Sequence, residues 1–219
     1  MKLLIDLAAQ IAARFEAFGP DDAGQFTRDI LEKYKETGEL ETELDAIPDD
    51  HFATLTATIS RQTDTHMKWF VYRSVEEVDI WVHQFRTDEE IKKTDRYAAS
   101  VHSHRYGFAS LLLNGGYTAD YHDVVPHEGE MSHGAPVEDK IIETQTYRAG
   151  DAYFMQHNKF HRLRDFVRDT VSFVIQLPPE AISSFSVDRE TQTLVEHINF
   201  GNDRNRMRQP YRQPLGPVL

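Results

Sequence analysis

The chain has 219 residues, of which 40% are hydrophobic and 27% are charged, a composition typical of one globular domain with a sizeable core. Its formal net charge of −12 argues against a nucleic-acid partner, because phosphate groups are bound by basic surfaces. The absence of cysteine excludes a disulfide scaffold, a thiolate zinc site and a cysteine nucleophile. No apolar run approaches the length of a membrane span, so the sequence predicts a cytoplasmic protein without a membrane partner.

The N-terminal part of the chain predicts amphipathic helices. Apolar residues recur at helical spacing from 3 to 18, where a Gly-Pro pair ends the pattern. A second helix, capped by Asp21 or Asp22, is predicted to end at Gly38, and a weaker helical stretch covers 50–61. We expect these helices to cover one side of the domain that follows.

From Met67 onward the pattern changes to short strands. Two paired strands are predicted at MKWFVYR and VDIWVHQF, which are rich in aromatic and β-branched residues. Further strands are predicted at ASVHSHR and GFASLLL, and an Asn-Gly-Gly turn predicts a hairpin into YTADYHDV. Eight or nine such strands favour an antiparallel sandwich or barrel over a βαβ fold. The predicted class is therefore mostly β, divided into a helical segment 1–66, a barrel 67–187 and a polar C-terminal extension 188–219.

Two histidines one residue apart, His102 and His104, lie in the predicted strand ASVHSHR. Side chains two apart on a strand share a face, so the two imidazoles can approach one ion at roughly 2.0–2.2 Å. On a helix, residues two apart diverge. The alternative is a pair of partly exposed histidines on a solvated strand face, and a third ligand decides between the two.

With these residues the sequence resembles the cupin superfamily of small jelly-roll barrels. The first cupin motif is His-x-His, followed by a Glu and then a Gly. Here the Phe-Ala pair at 108–109 stands at the Glu position, and Gly115 or Gly116 stands at the Gly position. The second motif begins with Gly150 and places a ligand histidine eleven residues on, at His161.

The resemblance implies a metal ion held by His102, His104 and His161 in a cupin jelly-roll barrel. Imidazole ligands suit iron, zinc, copper and nickel alike, so the ligand type leaves the metal open. The expected cofactor is Fe(II), with zinc, nickel or another divalent ion as alternatives. In the turn of the second motif Asn158 replaces a glycine, a mild change because Asn tolerates a left-handed backbone.

Within the cupins, three histidines without the Glu are similar to the thiol dioxygenases of the cysteine-dioxygenase type. The stretch HRLRDFVRDTVSFVIQLPPE looks like the segment of that family in which the ligand histidine leads to a strand ending in Pro-Pro, and Arg73 stands for its substrate-carboxylate arginine. At the three positions where that family has a Ser-His-Tyr relay, this chain has Ser172, Val174 and Gln176. The loss of the imidazole and the phenol argues against L-cysteine itself as the substrate.

The predicted function is that of a mononuclear non-haem iron oxygenase, dioxygenase-like, that uses O2 on a small anionic substrate, either amino-acid-derived or a thiol. Two alternatives stay open: a non-oxidative metal-dependent cupin isomerase or lyase, and a cupin that binds a small molecule without turnover. The candidate catalytic residues are Tyr106, Tyr153 and His157. The candidate substrate-binding residues are Arg73 and Gln176. Packing in the barrel is the alternative explanation for the two tyrosines, and an exposed position in a turn is the alternative for His157. A homodimer is left open.

Overall fold

The computed structural model describes residues 1–48, 59–62, 65–87 and 100–198 of the chain. Most of the weak helical stretch predicted at 50–61 therefore lies outside the described residues. No helix in these ranges is both long enough and apolar enough to cross a membrane.

Three α-helices form the N-terminal part: α1 at Lys2–Phe18, α2 at Pro20–Thr37 and α3 at Glu39–Asp45. The first two confirm the predicted helices. The cap of α2 differs from the prediction, because Gly19 occupies the cap position while Pro20 begins the helix and both aspartates fall in its first turn. That placement puts their negative charge at the positive end of the helix dipole.

The β-strands of the described residues follow in chain order. They are β1 (Arg61–Gln62), β2 (His66–Arg73), β3 (Asp79–Phe85), β4 (Phe108–Asn114), β5 (Gly116–Pro126), β6 (Val137–Arg148), β7 (Ala152–Met155), β8 (Phe160–Arg164), β9 (Val171–Gln176), β10 (Ser183–Asp188) and β11 (Thr193–Ile198).

These strands form two antiparallel sheets. The first has the order β1-β2-β3-β9-β4-β7, and the second contains β6-β5-β8. His102 forms isolated bridges to His161 in β8 and to Ser186 in β10, which attaches the β10-β11 pair to the second sheet. The predicted pairing of MKWFVYR with VDIWVHQF is confirmed as β2 with β3.

Two of the three hydrophobic clusters among the described residues hold the layers together. One contains side chains from both sheets, among them Phe70 of β2 and Tyr117 of β5, and therefore lies between them. The other joins α1 and α2 to the outer face of the first sheet, with Leu7 and Ile11 packed in the same cluster as Phe173. The prediction of a mostly β jelly-roll barrel with an N-terminal helical cover is confirmed by this layering.

The predicted hairpin at Asn-Gly-Gly is wrong. Strand β4 pairs with β7 and β9, whereas β5 pairs with β6 and β8, so the chain crosses between the sheets at Gly115. Gly115 has a φ of 71°, and a Cβ there would lie 2.3 Å from Oγ1 of Thr170. A Cβ on Gly116 would lie 2.4 Å from the carbonyl oxygen of Tyr147. Both glycines thus permit a close approach of neighbouring chain segments rather than a two-residue turn.

The described part of the predicted polar C-terminal extension contains a β-strand. Strand β11 falls within 188–219 and pairs along its whole length with β10. Its His197 and Ile198 line the space between the sheets. The boundaries of the three predicted segments stay predictions, but part of the last segment contributes to the body of the barrel.

Candidate metal centre

His102 and His161 are fixed side by side by the backbone. Each donates its N–H to the carbonyl oxygen of the other, at 2.9 Å in both directions. In an antiparallel pair, residues directly opposite each other project their side chains on the same face. The two imidazole rings accordingly lie with their centroids 4.7 Å apart. Within the described part of the strand predicted at ASVHSHR, strand pairing is reduced to the two isolated bridges that His102 forms to His161 and to Ser186.

His104 completes the group. Its carbonyl oxygen accepts a hydrogen bond from the N–H of Asn158 at 3.1 Å, which ties its segment to the turn before β8. Asn158 has a φ of 61°, the left-handed conformation anticipated for this turn. The Nε2 atoms of His104 and His161 are 3.0 Å apart. One ligand atom from each of the three histidines lies within 4.8 Å of the others.

The donor set fits a divalent metal ion. The Nδ1 of His102 lies 3.1 Å from the carbonyl oxygen of Ser100. A proton on that nitrogen leaves the lone pair of Nε2 available for a metal, the arrangement usual for ligand histidines. Two nitrogens 3.0 Å apart, as in His104 and His161, can both lie at the ~2.0–2.1 Å from one ion that imidazole ligands adopt.

Burial keeps the three imidazoles neutral. Desolvation lowers the pKa of His102 to about 4, with a smaller contribution from the positive charge of Lys68. Desolvation also lowers the pKa of His104 and of His161 well below the ordinary value, and the neighbouring histidines add to the effect. A neutral imidazole is the form that binds a metal, so the ring nitrogens are ready as ligands at neutral pH.

The three histidines stand on the wall of a cavity between the two sheets, about 730 Å³ in volume. Many of the side chains around it are aromatic. Among the described residues these are Trp81, Phe85, Tyr106, Phe108, Tyr117, Tyr153 and Phe166. A concave cavity in which aromatic side chains surround converging polar groups is a common form of a small-molecule site.

Four further residues predicted for the site also line this cavity: Arg73, Tyr106, Tyr153 and Gln176. Tyr153 is buried, and its hydroxyl lies 2.8 Å from that of Tyr117. Gln176 is 7% exposed. Their positions agree with a role in the site, and the roles themselves stay predictions.

Arg73 is held in a fixed position. Its Nε and Nη2 donate to the two carboxylate oxygens of Asp79, each at 2.5 Å. The carboxylate raises the pKa of the guanidinium above its already high value, so the charge of Arg73 is permanent. Because Asp79 balances that charge, Arg73 is a weaker anchor for a substrate carboxylate than the sequence alone indicates.

The predicted catalytic role of His157 is not supported by its position. Its Nδ1 lies 2.7 Å from a carboxylate oxygen of Glu180, and its ring is not among the groups that line the cavity. His157 is therefore a partly exposed histidine paired with Glu180, in line with the alternative explanation of an ordinary turn histidine.

Several cavity residues escaped sequence reasoning. His66 and Lys68 on β2 and His83 on β3 all line the cavity, and the rings of His66 and His83 have their centroids 4.7 Å apart. Alternation along β2 and β3 predicts which residues share a face. It does not predict which face turns inward, because both faces of β2 carry large apolar side chains, such as Trp69 and Phe70.

A group of tyrosines extends from the cavity towards the second sheet. The ring of Tyr153 stacks on that of Tyr147 at 4.3 Å, and the hydroxyl of Tyr147 lies 2.6 Å from that of Tyr121. Burial raises the pKa of Tyr117, Tyr147 and Tyr153, so these phenols stay protonated and can donate hydrogen bonds at neutral pH.

The fold and the site define a jelly-roll barrel with three converging histidines on the wall of an internal cavity. No protein-family model matches the chain, and no curated protein matches it in sequence. Solved structures do match. An RmlC-like cupin protein from Ralstonia eutropha is 10% identical, with a TM-score of 0.37 over 64% of this chain and 71% of that chain.

Two further solved structures are similar to parts of the chain. A protein with a double-stranded β-helix domain from Klebsiella pneumoniae is 12% identical, with a TM-score of 0.34 over 57% of this chain and 89% of that chain. The hydroquinone 1,2-dioxygenase PnpCD, in complex with Cd2+ and 4-hydroxybenzonitrile, is 8% identical, with a TM-score of 0.35 over 49% of this chain and 61% of that chain.

Proposed function

We propose that the protein is a mononuclear non-haem iron oxygenase of the cupin type, in which His102, His104 and His161 hold Fe(II). The observation that carries this proposal is the convergence of three neutral imidazoles on the wall of the cavity between the two sheets. An ion held by neutral ligands keeps its full positive charge, and three protein ligands leave positions for an anionic substrate and O2.

The residues around the ligands have separate tasks in this proposal. The carbonyl oxygen of Ser100 orients His102 through its Nδ1. The aromatic side chains of the cavity exclude water from the reacting groups. The hydroxyl pair of Tyr153 and Tyr117 holds protons beside the cavity, where Tyr153 can donate a hydrogen bond to a bound substrate.

A non-oxidative lyase or isomerase is the second candidate. Zinc or nickel binds three imidazoles as readily as iron does. The observation that favours this candidate is the pair of further imidazoles in the same cavity, His66 and His83, which offers acid–base groups for a reaction without oxygen.

Metal analysis of protein purified without added metal tests the proposal. We expect close to one iron per chain, and oxygen consumption that depends on an added substrate. The His104→Ala variant should lose the metal, whereas His127→Ala, which removes an exposed histidine, should keep it. Zinc or nickel without oxygen consumption would favour the second candidate. A metal-free protein that still binds a small molecule would favour binding without turnover.

A further inference from the structure

Four tyrosines between the sheets form two hydrogen-bonded pairs. Tyr117 of β5 and Tyr153 of β7 have their hydroxyl oxygens 2.8 Å apart, and Tyr121 of β5 and Tyr147 of β6 have theirs 2.6 Å apart. The rings of Tyr153 and Tyr147 are stacked, with centroids 4.3 Å apart and an interplanar angle of 29°. The two pairs therefore touch through ring faces that come from different strands.

One pair belongs to the cavity. Tyr117 and Tyr153 line its wall and are 2% and 8% exposed. The ring of Phe108 is in edge-on contact with the ring of Tyr153 at 6.1 Å and with that of His104 at 5.0 Å. A single aromatic side chain thus connects a metal ligand with the first tyrosine of the group.

The other pair reaches the surface. Tyr147 lines a second pocket of about 410 Å³ between α2 and the second sheet, where the exposed residues Lys35 and Gln145 also lie. The hydroxyl of Tyr147 donates a hydrogen bond to Oε1 of Gln145 at 2.9 Å. Since Gln145 is exposed, one hydrogen-bonded side chain connects the phenolic oxygen of Tyr147 with bulk water.

The contact between the two pairs suits an electron rather than a proton. The hydroxyls are bonded within each pair, and the pairs meet through stacked rings. Stacked π systems exchange electrons, whereas a proton moves along a hydrogen bond and so does not cross from one pair to the other. The described residues thus contain a continuous ring-to-ring path from the metal ligands to the surface, made of His104, Phe108, Tyr153 and Tyr147.

The hydrogen-bond partners set the direction of travel along this path. A phenol that loses an electron becomes a strong acid and gives up its proton. At Tyr153 the partner is the hydroxyl of Tyr117, a buried phenol and a weak base. At Tyr147 the proton can leave through Gln145 to water, while Tyr121 donates a hydrogen bond to the oxygen left behind. An oxidised tyrosine is therefore more stable at Tyr147 than at Tyr153.

We propose that Tyr153 and Tyr147 carry one-electron oxidation from the cavity to the surface. A one-electron oxidant in the cavity takes an electron from Tyr153, which regains one from Tyr147. Tyr147 releases its phenolic proton to water and becomes a neutral phenoxyl radical. A hydrogen-atom donor in solution, such as ascorbate, returns one hydrogen atom to Tyr147 and is left as a radical. This inference rests on the proposed function, because oxygen chemistry at the metal supplies the oxidant. The path protects the histidine ligands when an oxidant forms without substrate.

Radical trapping in the iron-loaded protein tests the path. Hydrogen peroxide, added without substrate, supplies the oxidant. Electron paramagnetic resonance detects the radical, and a nitroso spin trap with mass spectrometry identifies the residue that carries it. We expect a tyrosyl radical, with the trap attached to Tyr147. Tyr153→Phe should remove that adduct although Tyr147 is unchanged, and Tyr34→Phe, on α2 and outside the group, is the matched control. An undiminished adduct on Tyr147 in Tyr153→Phe would overturn the inference.

A second variant acts at the surface end of the path. Gln145→Leu removes the proton acceptor of Tyr147 at an exposed position and leaves every ring in place. We expect less adduct on Tyr147 and more on Tyr153, together with more oxidation of the three histidines. The same distribution of adducts in this variant and in the unaltered protein would contradict the direction of travel.

A redox-inert metal separates this inference from the proposed function. The chain has no cysteine, so Ile198→Cys, at an exposed residue that lines the cavity, provides a single attachment point for a ruthenium photosensitiser. Flash oxidation of this label in the zinc-loaded protein, with an added electron acceptor, should place the trap on Tyr147, and Tyr153→Phe should prevent it. The lack of an adduct on Tyr147 in the zinc-loaded protein would overturn the path. An adduct there, with no radical in the iron-loaded protein, would contradict the oxygen chemistry and leave the path standing.

Discussion

The Nε2 atoms of His104 and His161 lie 3.0 Å apart although the two residues are separated by 57 positions in the sequence. The separation is short because His161 pairs with His102 through the backbone while Asn158 pairs with His104. Two buried, neutral imidazoles in this arrangement either share one proton or bind one ion.

Removing His161 should abolish the stabilisation that metal provides. In the unaltered protein, a metal concentration 100 times Kd should raise the free energy of unfolding by about 2.7 kcal/mol. His161→Ala should lose metal affinity by more than about 100-fold, beyond the 10–100-fold typical for loss of a supporting contact. Urea unfolding with and without metal measures both effects. An equal metal-induced shift in the variant would show that the ion binds elsewhere.

The metal-free protein should lose stability as the pH falls from about 6.5 to about 4. The folded state lowers the pKa of His102 from 6.5 to about 4 by desolvation, so the unfolded chain takes up the proton first. Stability therefore rises with pH across this window and is lost below it. Urea midpoints at a series of pH values measure the slope. His102→Gln should flatten it, and an unchanged slope in that variant would contradict the assigned burial.

Gly115→Ala should destabilise the fold by about 2 kcal/mol or more. The substitution combines a left-handed backbone with a contact of 2.3 Å to Oγ1 of Thr170. Gly129→Ala is the matched control, because its φ is 81° and nothing lies within 4 Å of the added Cβ. We expect the control to lose only about 1 kcal/mol in urea unfolding. Equal losses in the two variants would mean that the crossing between the sheets does not need the close approach.

Tyr153→Phe should leave the hydroxyl of Tyr117 buried without its present partner. The expected cost is about 1–2 kcal/mol in the free energy of unfolding. Since the two hydroxyls lie 2.8 Å apart, the double variant with Tyr117→Phe should lose less than the sum of the single variants. Additive losses would indicate that the two phenols act independently.

The metal ligands were accessible to sequence reasoning because each sits in a local pattern. His102 and His104 are two apart, and His161 holds the spacing of the second motif. Backbone pairing between His102 and His161 brings the ligands together, as the spacing of the two motifs anticipates. The structure differs in detail, since the described part of the predicted strand around His102 forms isolated bridges rather than a ladder.

Other features depend on partners that are remote in the sequence. An Asn-Gly-Gly stretch is compatible both with a tight turn and with the close approach of another chain segment. Here the segment at Thr170, far along the chain, lies close to Gly115, so the second applies. His157 faces Glu180, and Arg73 is bound to Asp79. Lys68 lies on a strand with large apolar side chains on both faces, so its inward direction follows only from the tertiary packing.

X-ray absorption spectroscopy of the protein with the metal that it retains on purification tests the central claim most directly. We predict one iron per chain with imidazole nitrogens at roughly 2.0–2.2 Å, and loss of that signal in each single alanine variant of His102, His104 and His161. An ion that keeps the same imidazole shell in all three variants would contradict the site described above.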